Sequence, residues 1–227
     1  MRQIVLDTET TGLSPADGDR LVEIGCLEIV NQVATGVVFH KYINPERDVP
    51  KGAFDVHGLS EEFLRDHPKF AEIAEEFLAF IDDAPLVIHN ASFDMGFINH
   101  ELKRAGHAAL NNDRAIDTLL IARKRFPGAQ NSLDALCRRF NVDNSNRVKH
   151  GALLDAELLA EVYLELMGGR QPGLVLDASL DMRKIEVAAV ETRKRPKPLD
   201  PRLTDEERAA HAEFIAGFGS DALWNAS

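Results

Sequence analysis

Two acidic residues stand two positions apart at the end of an apolar run, in the stretch IVLDTETTGL at residues 4 to 13. If the run is a β-strand, Asp7 and Glu9 point to one side of it and Thr8 to the other, because side chains alternate along a strand. Two ionised carboxylates roughly 6 Å apart repel by about 2 to 3 kcal/mol at an effective dielectric constant near 20, unless a cation lies between them. The pair therefore predicts a metal site whose other ligands come from elsewhere in the chain.

Two further acids lie on helical stripes that are otherwise apolar. Asp94 is followed by apolar residues at offsets of three, four and eight, and Asp155 by apolar residues at offsets of three, four, seven and eleven. Both therefore face the core, where a carboxylate pairs with a cation, shifts its pKa or binds a metal. Taken singly, either acid can instead cap the start of its own helix. Four such acids in one chain favour a shared metal site.

A histidine stands just ahead of the helix that carries Asp155. From a loop at this point, the imidazole of His150 can reach the same pocket, and a histidine near its ordinary pKa of about 6.5 can take a proton from water. For this residue alone, a histidine on a surface loop is the simpler interpretation.

The elements that must position these residues follow from periodicity and turn signals. Strands are predicted around residues 2–7, 21–30 and 35–43, the last two forming a hairpin, and then at the short segments PLVIHN and AIDT. Helices are predicted from 68 to about 81, from NASFD to 106, and at 118–126, 132–140 and 151–167. Three strands followed by alternating strands and helices predict a mixed five-stranded α/β sheet with helices on both sides.

Composition narrows the possible partners. The chain has 227 residues and a net charge of -11, which argues against a broad basic surface that holds nucleic acid. It does not argue against an enzyme whose bound metals supply positive charge and which grips only a strand end. The absence of a long apolar run and of a signal-peptide pattern predicts a cytoplasmic protein without a membrane partner. Cys26 and Cys137 lack metal-site spacing and are interpreted as structural thiols.

The motifs together resemble one known family. DTET with Asp7 and Glu9, HNASFD with Asp94, and HGALLDA with His150 and Asp155 are similar, in order and spacing, to the three exonuclease motifs of the DEDDh, DnaQ-like family. The similarity covers roughly residues 1 to 168 and includes VHGL at 56–59 and IDT at 116–118. It implies a ribonuclease H-like fold and 3′-to-5′ removal of nucleotides. Within the family, the chain is most similar to the epsilon-type proofreading branch, which serves bacterial DNA polymerase III.

The resemblance implies a role for each member of the acidic cluster. Asp7 would bridge two divalent ions, Mg²⁺ or Mn²⁺, with Glu9 and Asp155 completing one site and Asp94 supporting the other. His150 would be the catalytic base that activates water. Through the ions, Asp7, Glu9 and Asp155 would also contact the substrate.

The resemblance also implies contacts with the 3′ end of a single-stranded or frayed DNA. Leu13 and Phe93 would pack on the last bases, His57 would approach the terminal nucleotide, and the backbone from Thr10 to Gly12 would face the 3′ hydroxyl. Three basic residues at 123–125 can touch phosphates or form a solvated helix end, and both interpretations stay open. His89 is predicted to support the core more than to bind substrate, and Asp117 to cap a helix.

The composition of the sequence changes at Gly168, where a region with stretches rich in glycine, proline and basic residues begins. This change divides the chain into an exonuclease domain at 1–168, a flexible linker at 169–203 and a docking segment at 204–227. Thr204 and Glu207 form a capping box that predicts a helix in the last segment.

The resemblance implies two partners for this tail. The docking segment would bind the polymerase III catalytic (alpha) subunit, so that tethering holds the nuclease near the primer end. The linker peptide QPGLVL is similar to sliding-clamp peptides, with Gln171, Leu174 and Leu176 as anchors.

Two alternative functions stay open. An RNA-trimming 3′-to-5′ exonuclease of the same family, ribonuclease T-like or oligoribonuclease-like, would use the same acids, although such proteins typically lack a tail. A catalytically inactive binding module would keep the fold, but the intact acids and His150 disfavour it.

Overall fold

A computed structural model describes residues 1–145, 147, 149–169 and 203–217. The chain divides into two units, Met1–Val175 and Leu176–Ser227. The strands of the first unit are β1 Arg2–Thr10, β2 Leu21–Val30, β3 Val33–Tyr42, β4 Leu86–Ile88 and β5 Ala115–Asp117. Its helices are α1 Lys51–His57, α2 Glu61–Arg65, α3 Phe70–Ile81, α4 Ala91–Arg104, α5 Thr118–Arg125, α6 Leu133–Phe140 and α7 Ala152–Leu166, with 3₁₀ turns at Pro15–Asp17 and Asn112–Arg114.

The five strands form one mixed sheet in the order β3-β2-β1-β4-β5. The first three pair antiparallel, whereas β4 and β5 run parallel to β1 and to each other. Asn31 and Gln32 join β2 to β3 with positive φ angles of 51° and 67°, as a two-residue hairpin turn requires. The predicted mixed five-stranded sheet and its hairpin are confirmed.

Helices cover both faces of the sheet, as predicted. On one face, Ile4 and Leu6 of β1 belong to a core that includes apolar side chains of α3 and α4. On the other face, Val5 belongs to a core that includes side chains of α6 and α7. The alternation of side chains along β1 therefore gives the strand two buried faces, and this explains its continuous apolar run.

The structure differs from the sequence prediction in two places. β1 continues to Thr10 instead of ending at residue 7, because pairing with β2 extends through Glu9 opposite Glu23. The segment between the predicted strand that ends at 43 and the predicted helix that begins at 68, for which no element was predicted, contains α1 and α2. These helices have 7 and 5 residues, which is too short for an apolar period to be visible.

Helix α7 lies directly against the backbone of β2 at Gly25. A Cβ atom built on Gly25 would lie 2.3 Å from the backbone nitrogen of Leu153 and 2.4 Å from the carbonyl carbon of Ala152. Gly25 is also the partner of Asp7 in the β1–β2 register. Because Gly25 has no Cβ atom, the start of α7 can pack directly against the sheet at this residue.

The described part of the second unit is helix α8, Asp205–Ala216. Its start has the predicted capping box, in which the Thr204 hydroxyl accepts from the Glu207 amide at 3.2 Å and the Glu207 carboxylate accepts from the Thr204 amide at 2.9 Å. The proposed clamp anchors Gln171, Leu174 and Leu176 lie outside the described residues. Across the described ranges, none of the helices has the length and apolar character needed to span a bilayer.

We expect Gly25→Ala to lower the free energy of unfolding by about 3 kcal/mol, because the added methyl group meets backbone atoms that cannot rotate away. Urea denaturation measures the change. Gly96→Ala is the matched control, since a Cβ at Gly96 would have no neighbour within 4 Å. Equal stability of the two variants would contradict the close packing of α7.

Candidate active site

The predicted site residues converge on one cleft of about 970 Å³. Six of the nine residues that were predicted in the nuclease site line it: Asp7, Glu9, Phe93, Asp94, His150 and Asp155. The other three, Thr10, Leu13 and His57, lie outside this lining. The metal-binding and catalytic candidates are therefore together, whereas three of the seven predicted substrate contacts lie outside the lining of the cleft.

The acids of β1 are placed where ionisation is costly. Burial raises the pKa of Glu9 to about 8, and the carboxylates of Asp155 and Glu23 add to the effect. Burial also raises the pKa of Asp7 well above its ordinary value, with further contributions from Asp94 and Glu9. A cation among these groups would remove the repulsion, so the donor set fits a divalent ion.

The third acid enters the cleft from the first turn of α4. Asp94 is buried, and its carboxylate accepts a hydrogen bond of 2.7 Å from the Thr8 hydroxyl. Burial raises the pKa of Asp94 to about 7, against the opposing effect of the Thr8 hydroxyl. Thr8, which points away from Asp7 as the alternation predicts, thus holds a second acid of the same site.

A distant carboxylate caps the start of α4. Asp117 accepts hydrogen bonds from the amides of Asn90 and Ala91 at 3.3 and 3.2 Å. It also caps α5, as predicted, through the Leu119 amide at 2.8 Å. Asn90, the residue at the N-cap of α4, has a left-handed backbone and its side chain makes no capping bond. Asp117 therefore positions the helix that carries Asp94.

The fourth acid, Asp155, is held by Arg147. The guanidinium donates from Nε to Asp155 Oδ1 at 2.5 Å and from Nη2 to Asp155 Oδ2 at 2.7 Å. His150 Nδ1 lies 3.3 Å from Asp155 Oδ2. Burial opposes ionisation of Asp155, but contacts with His150 and Arg147 outweigh it and lower the pKa of this carboxyl.

Three side chains are close enough to share one cation. Among the described residues, Glu9, His150 and Asp155 offer ligand atoms that all lie within 4.8 Å of one another. The set supplies hard oxygen donors and one imidazole, a combination that suits a divalent metal.

A well-braced loop joins β1 to β2 beside the cleft. Arg20 is buried and makes a two-pronged ion pair with Glu101 of α4 at 2.5 and 2.9 Å. Asp19 accepts from the Ser14 amide at 3.1 Å. Leu13, on the same loop, is 85% exposed. The loop thus presents one apolar side chain to solvent from a fixed backbone.

Thr10 and His57 are buried beside this loop. The Thr10 hydroxyl donates to the Gly12 carbonyl at 2.6 Å. His57 Nδ1 accepts from the Leu59 amide at 3.0 Å, and burial lowers the pKa of His57. Burial therefore favours the neutral form of His57.

The cleft extends from the acids toward the end of α5. Arg123 and His89 line it, whereas Arg125 donates to the carbonyls of Glu165 and Leu166 at the end of α7, both at 2.7 Å. Of these two arginines, Arg123 is the one that faces the cleft.

Sequence reasoning missed Arg147, Thr8 and Glu23 as parts of the site. Arg147 lies in a loop, where no periodicity indicates the direction of a side chain. Thr8 becomes relevant only once Asp94 of α4 is known to lie beside it, and Glu23 only once the pairing of β1 with β2 is known. Alternation along β1 places Thr8 on the opposite face from Asp7, so this local pattern did not indicate a role for Thr8 in the site.

Comparison with known proteins agrees with this arrangement. Residues 4–163 match the family model described as Exonuclease. The chain belongs to this exonuclease family. Of its relatives, DNA polymerase III subunit epsilon of Rickettsia felis is 52% identical over 220 residues, covering 95% of this chain and 96% of the relative. The protein of the same name from Escherichia coli K12 is 45% identical, covering 99% of this chain and 98% of the relative.

Solved structures share the fold of the exonuclease domain. Exonuclease X in complex with 5′ overhanging duplex DNA superposes with a TM-score of 0.57 at 23% identity, covering 73% of this chain and 90% of that one. A zinc-bound complex of Escherichia coli exonuclease I with single-stranded DNA gives a TM-score of 0.64 at 18% identity, covering 75% and 41%. The resemblance to the DEDDh family and its ribonuclease H-like fold is confirmed.

The raised pKa values predict how the stability of the exonuclease depends on pH without metal. The folded state holds protons on Glu9 and Asp94 more tightly than the unfolded chain does. The protonated carboxyls therefore contribute their full stabilisation below about pH 4, and this stabilisation is lost as pH rises through about 7 to 8. In the presence of a chelator, we expect the melting temperature to fall between about pH 5 and pH 8.5, and Mn²⁺ to reverse most of the fall.

Thermal melts of the wild-type chain and of Glu9→Gln measure this effect. Glu9→Gln removes one of the titrating groups, so its melting temperature should fall less over the same range. A melting temperature that rises with pH under chelation would contradict the electrostatics of the cleft.

Proposed function

We propose that this exonuclease is the proofreading 3′-to-5′ nuclease of a bacterial replicative DNA polymerase III, acting in the cytoplasm at the nucleoid. The observation that carries the proposal is the meeting of four carboxylates and His150 in one cleft. Identity of 45% and 52% to polymerase III epsilon subunits over nearly the whole chain supports the assignment to proofreading. Under this proposal, the products are nucleoside 5′-monophosphates.

The proposed cofactors are two divalent ions, Mg²⁺ or Mn²⁺. Asp7, Glu9, Asp94 and Asp155 would hold them in the cleft. Bound ions would supply the positive charge that activates water and stabilises the departing 3′ oxygen. His150 would take the proton from the attacking water, and hydrolysis would break the bond between the last phosphorus and the 3′ oxygen.

Apolar and basic side chains around the acids suit a single strand. Phe93 and the exposed Leu13 would pack against the last bases, and His57 and the backbone of Thr10 would lie near the terminal nucleotide. Stacking of this kind tolerates any base. A mispaired end frays more easily and reaches the site more often, so no base needs to be read. Arg123 would contact a phosphate farther along the strand.

The tail supports the choice of DNA replication over RNA trimming. The capped helix α8 exposes most of its residues, and a helix of this length is marginal without a partner. We propose that segment 204–227 docks on the polymerase catalytic subunit, that 169–203 is a linker, and that Gln171, Leu174 and Leu176 bind the sliding clamp.

We expect His150→Ala to slow removal of the 3′ nucleotide by about 100-fold or more while Mn²⁺ still binds, because the variant loses a base and keeps the carboxylates. Labelled DNA and RNA single strands of one sequence serve as substrates, and calorimetry measures Mn²⁺ uptake. His107→Ala is a matched control outside the cleft.

The same assay separates the proposed function from its alternatives. Selective trimming of DNA supports proofreading, selective trimming of RNA supports the RNA exonuclease, and no trimming by the wild-type chain supports the binding module. Loss of Mn²⁺ binding in His150→Ala would make His150 a metal ligand instead of the base.

We expect the full-length chain to co-purify with the polymerase catalytic subunit and a chain truncated after Gly169 to be lost from it, because the truncation removes the docking segment. Both forms should trim single-stranded DNA at similar rates, which controls for folding of the nuclease domain. Equal recovery of both forms with the polymerase would contradict the role of the tail.

A further inference from the structure

Arg147 contacts two of the groups that the proposed reaction needs, Asp155 and His150. Its side chain is only 7% exposed. Besides the two hydrogen bonds to Asp155, Nη2 lies 2.7 Å from His150 Nδ1, and Nη1 donates to Asp134 Oδ1 at 2.7 Å. One guanidinium therefore joins a proposed metal ligand, the proposed base and a third residue at the start of α6.

The chemistry of arginine fixes the direction of each hydrogen bond. His150 Nδ1 lies 2.7 Å from Arg147 Nη2 and 3.3 Å from Asp155 Oδ2. A guanidinium has N–H donors and no acceptor, so in the shorter of these two contacts Nδ1 accepts from Arg147. The two hydrogens of Nη2 serve Asp155 Oδ2 and His150 Nδ1, and the neutral imidazole then carries its proton on Nε2. The lone pair with which His150 would take a proton from water is occupied by Arg147.

Arg147 also donates a hydrogen bond to each oxygen of Asp155. A divalent ion that binds Asp155 would lie within about 4 Å of the guanidinium charge, where like charges repel strongly in a partly buried site. Arginine in its present position and a metal ion at Asp155 therefore compete for one carboxylate.

We infer that Arg147 is a positioning residue that holds Asp155 and His150 in a locked arrangement, and that a divalent ion releases both by displacing the guanidinium toward Asp134. This inference rests on the metal centre proposed above. Metal binding at Asp155 and release of His150 are then coupled. His150 can act as a base only when the metal is bound.

Asp134 is suited to receive the displaced arginine. Its side chain is 46% exposed, which leaves room around it, and Asn144 Nδ2 donates to the same Oδ1 atom at 3.2 Å. Because Asp134 already binds Nη1, the guanidinium keeps one anionic partner throughout the movement. The guanidinium therefore avoids the large desolvation cost of a buried charge without an opposite charge beside it.

Calorimetric titration of the full chain with Mn²⁺ alone tests the competition. We expect Arg147→Gln to lower the dissociation constant by about tenfold or more, because the competitor is removed. Arg138→Gln is the matched control, since it removes the same charge from an exposed position on α6. Unchanged or weaker Mn²⁺ binding by Arg147→Gln would overturn the lock.

A double-mutant cycle tests the role of Asp134. In the wild-type background, Asp134→Asn should weaken Mn²⁺ binding, because the displaced arginine loses its partner. In the Arg147→Gln background, the same substitution should have little effect, and an equal effect in both backgrounds would overturn the proposed path.

Nitrogen NMR of the His150 ring gives a readout that a merely structural role would not change. Adding Mg²⁺ to the wild-type chain should shift the Nδ1 resonance toward that of an unbonded imidazole nitrogen, and Arg147→Gln should show the shifted resonance before Mg²⁺ is added. An Nδ1 resonance that is the same in both metal-free proteins would overturn the lock.

Arg147→Lys serves as a second variant if Arg147→Gln does not fold. Lysine keeps the charge without the two-pronged geometry, so its Mn²⁺ affinity should lie between those of the wild type and a charge-free variant. Absence of Mn²⁺ uptake in the wild-type chain would instead overturn the metal centre and the lock together.

Discussion

Repulsion among carboxylates that are buried side by side is the constraint on which the rest of this structure depends. Three of the four acids in the cleft, Asp7, Glu9 and Asp94, have raised pKa values. Among the four, Asp155 alone has a lowered pKa, and it is the acid that contacts His150 and Arg147. The contrast shows how strongly a neighbouring donor or positive charge favours ionisation of a buried carboxyl group, and it explains why such acids bind cations.

The fold brings the acids together by using elements from distant parts of the chain. β1 contributes two of them directly, α4 contributes Asp94 once Asp117 has fixed its start, and α7 contributes Asp155 through close packing at Gly25. The distances among the four carboxylates therefore depend on backbone contacts more than on the side chains themselves. Burial of the β1 backbone between two helical layers keeps those distances constant.

Much of this arrangement could be predicted from local patterns. Alternation along β1 placed Asp7 and Glu9 on one side, and the apolar stripes of α4 and α7 placed Asp94 and Asp155 toward the core. The mixed five-stranded sheet and the helices on both of its faces followed from the succession of elements. Each of these inferences needs only the periodicity of one segment.

The features that could not be predicted involve contacts between segments or turns too short to show a period. The position of Arg147 depends on its contacts with Asp155 of α7 and Asp134 of α6, and the second capping role of Asp117 depends on β4 and β5 lying side by side. α1 and α2 are too short to be recognised, and the end of β1 depends on the length of its partner. Tertiary contacts decide all of these, and a single segment contains no information about them.

The braced loop between β1 and β2 has a kinetic consequence. Because the Arg20–Glu101 pair and Asp19 hold the backbone of the loop, the proposed contact of Leu13 with an incoming base would require ordering of the side chain but little ordering of the backbone. An editing enzyme inspects many correctly paired ends for every error, and each inspection has to be brief. A loop whose backbone needs little ordering on arrival shortens the time spent at ends that require no correction.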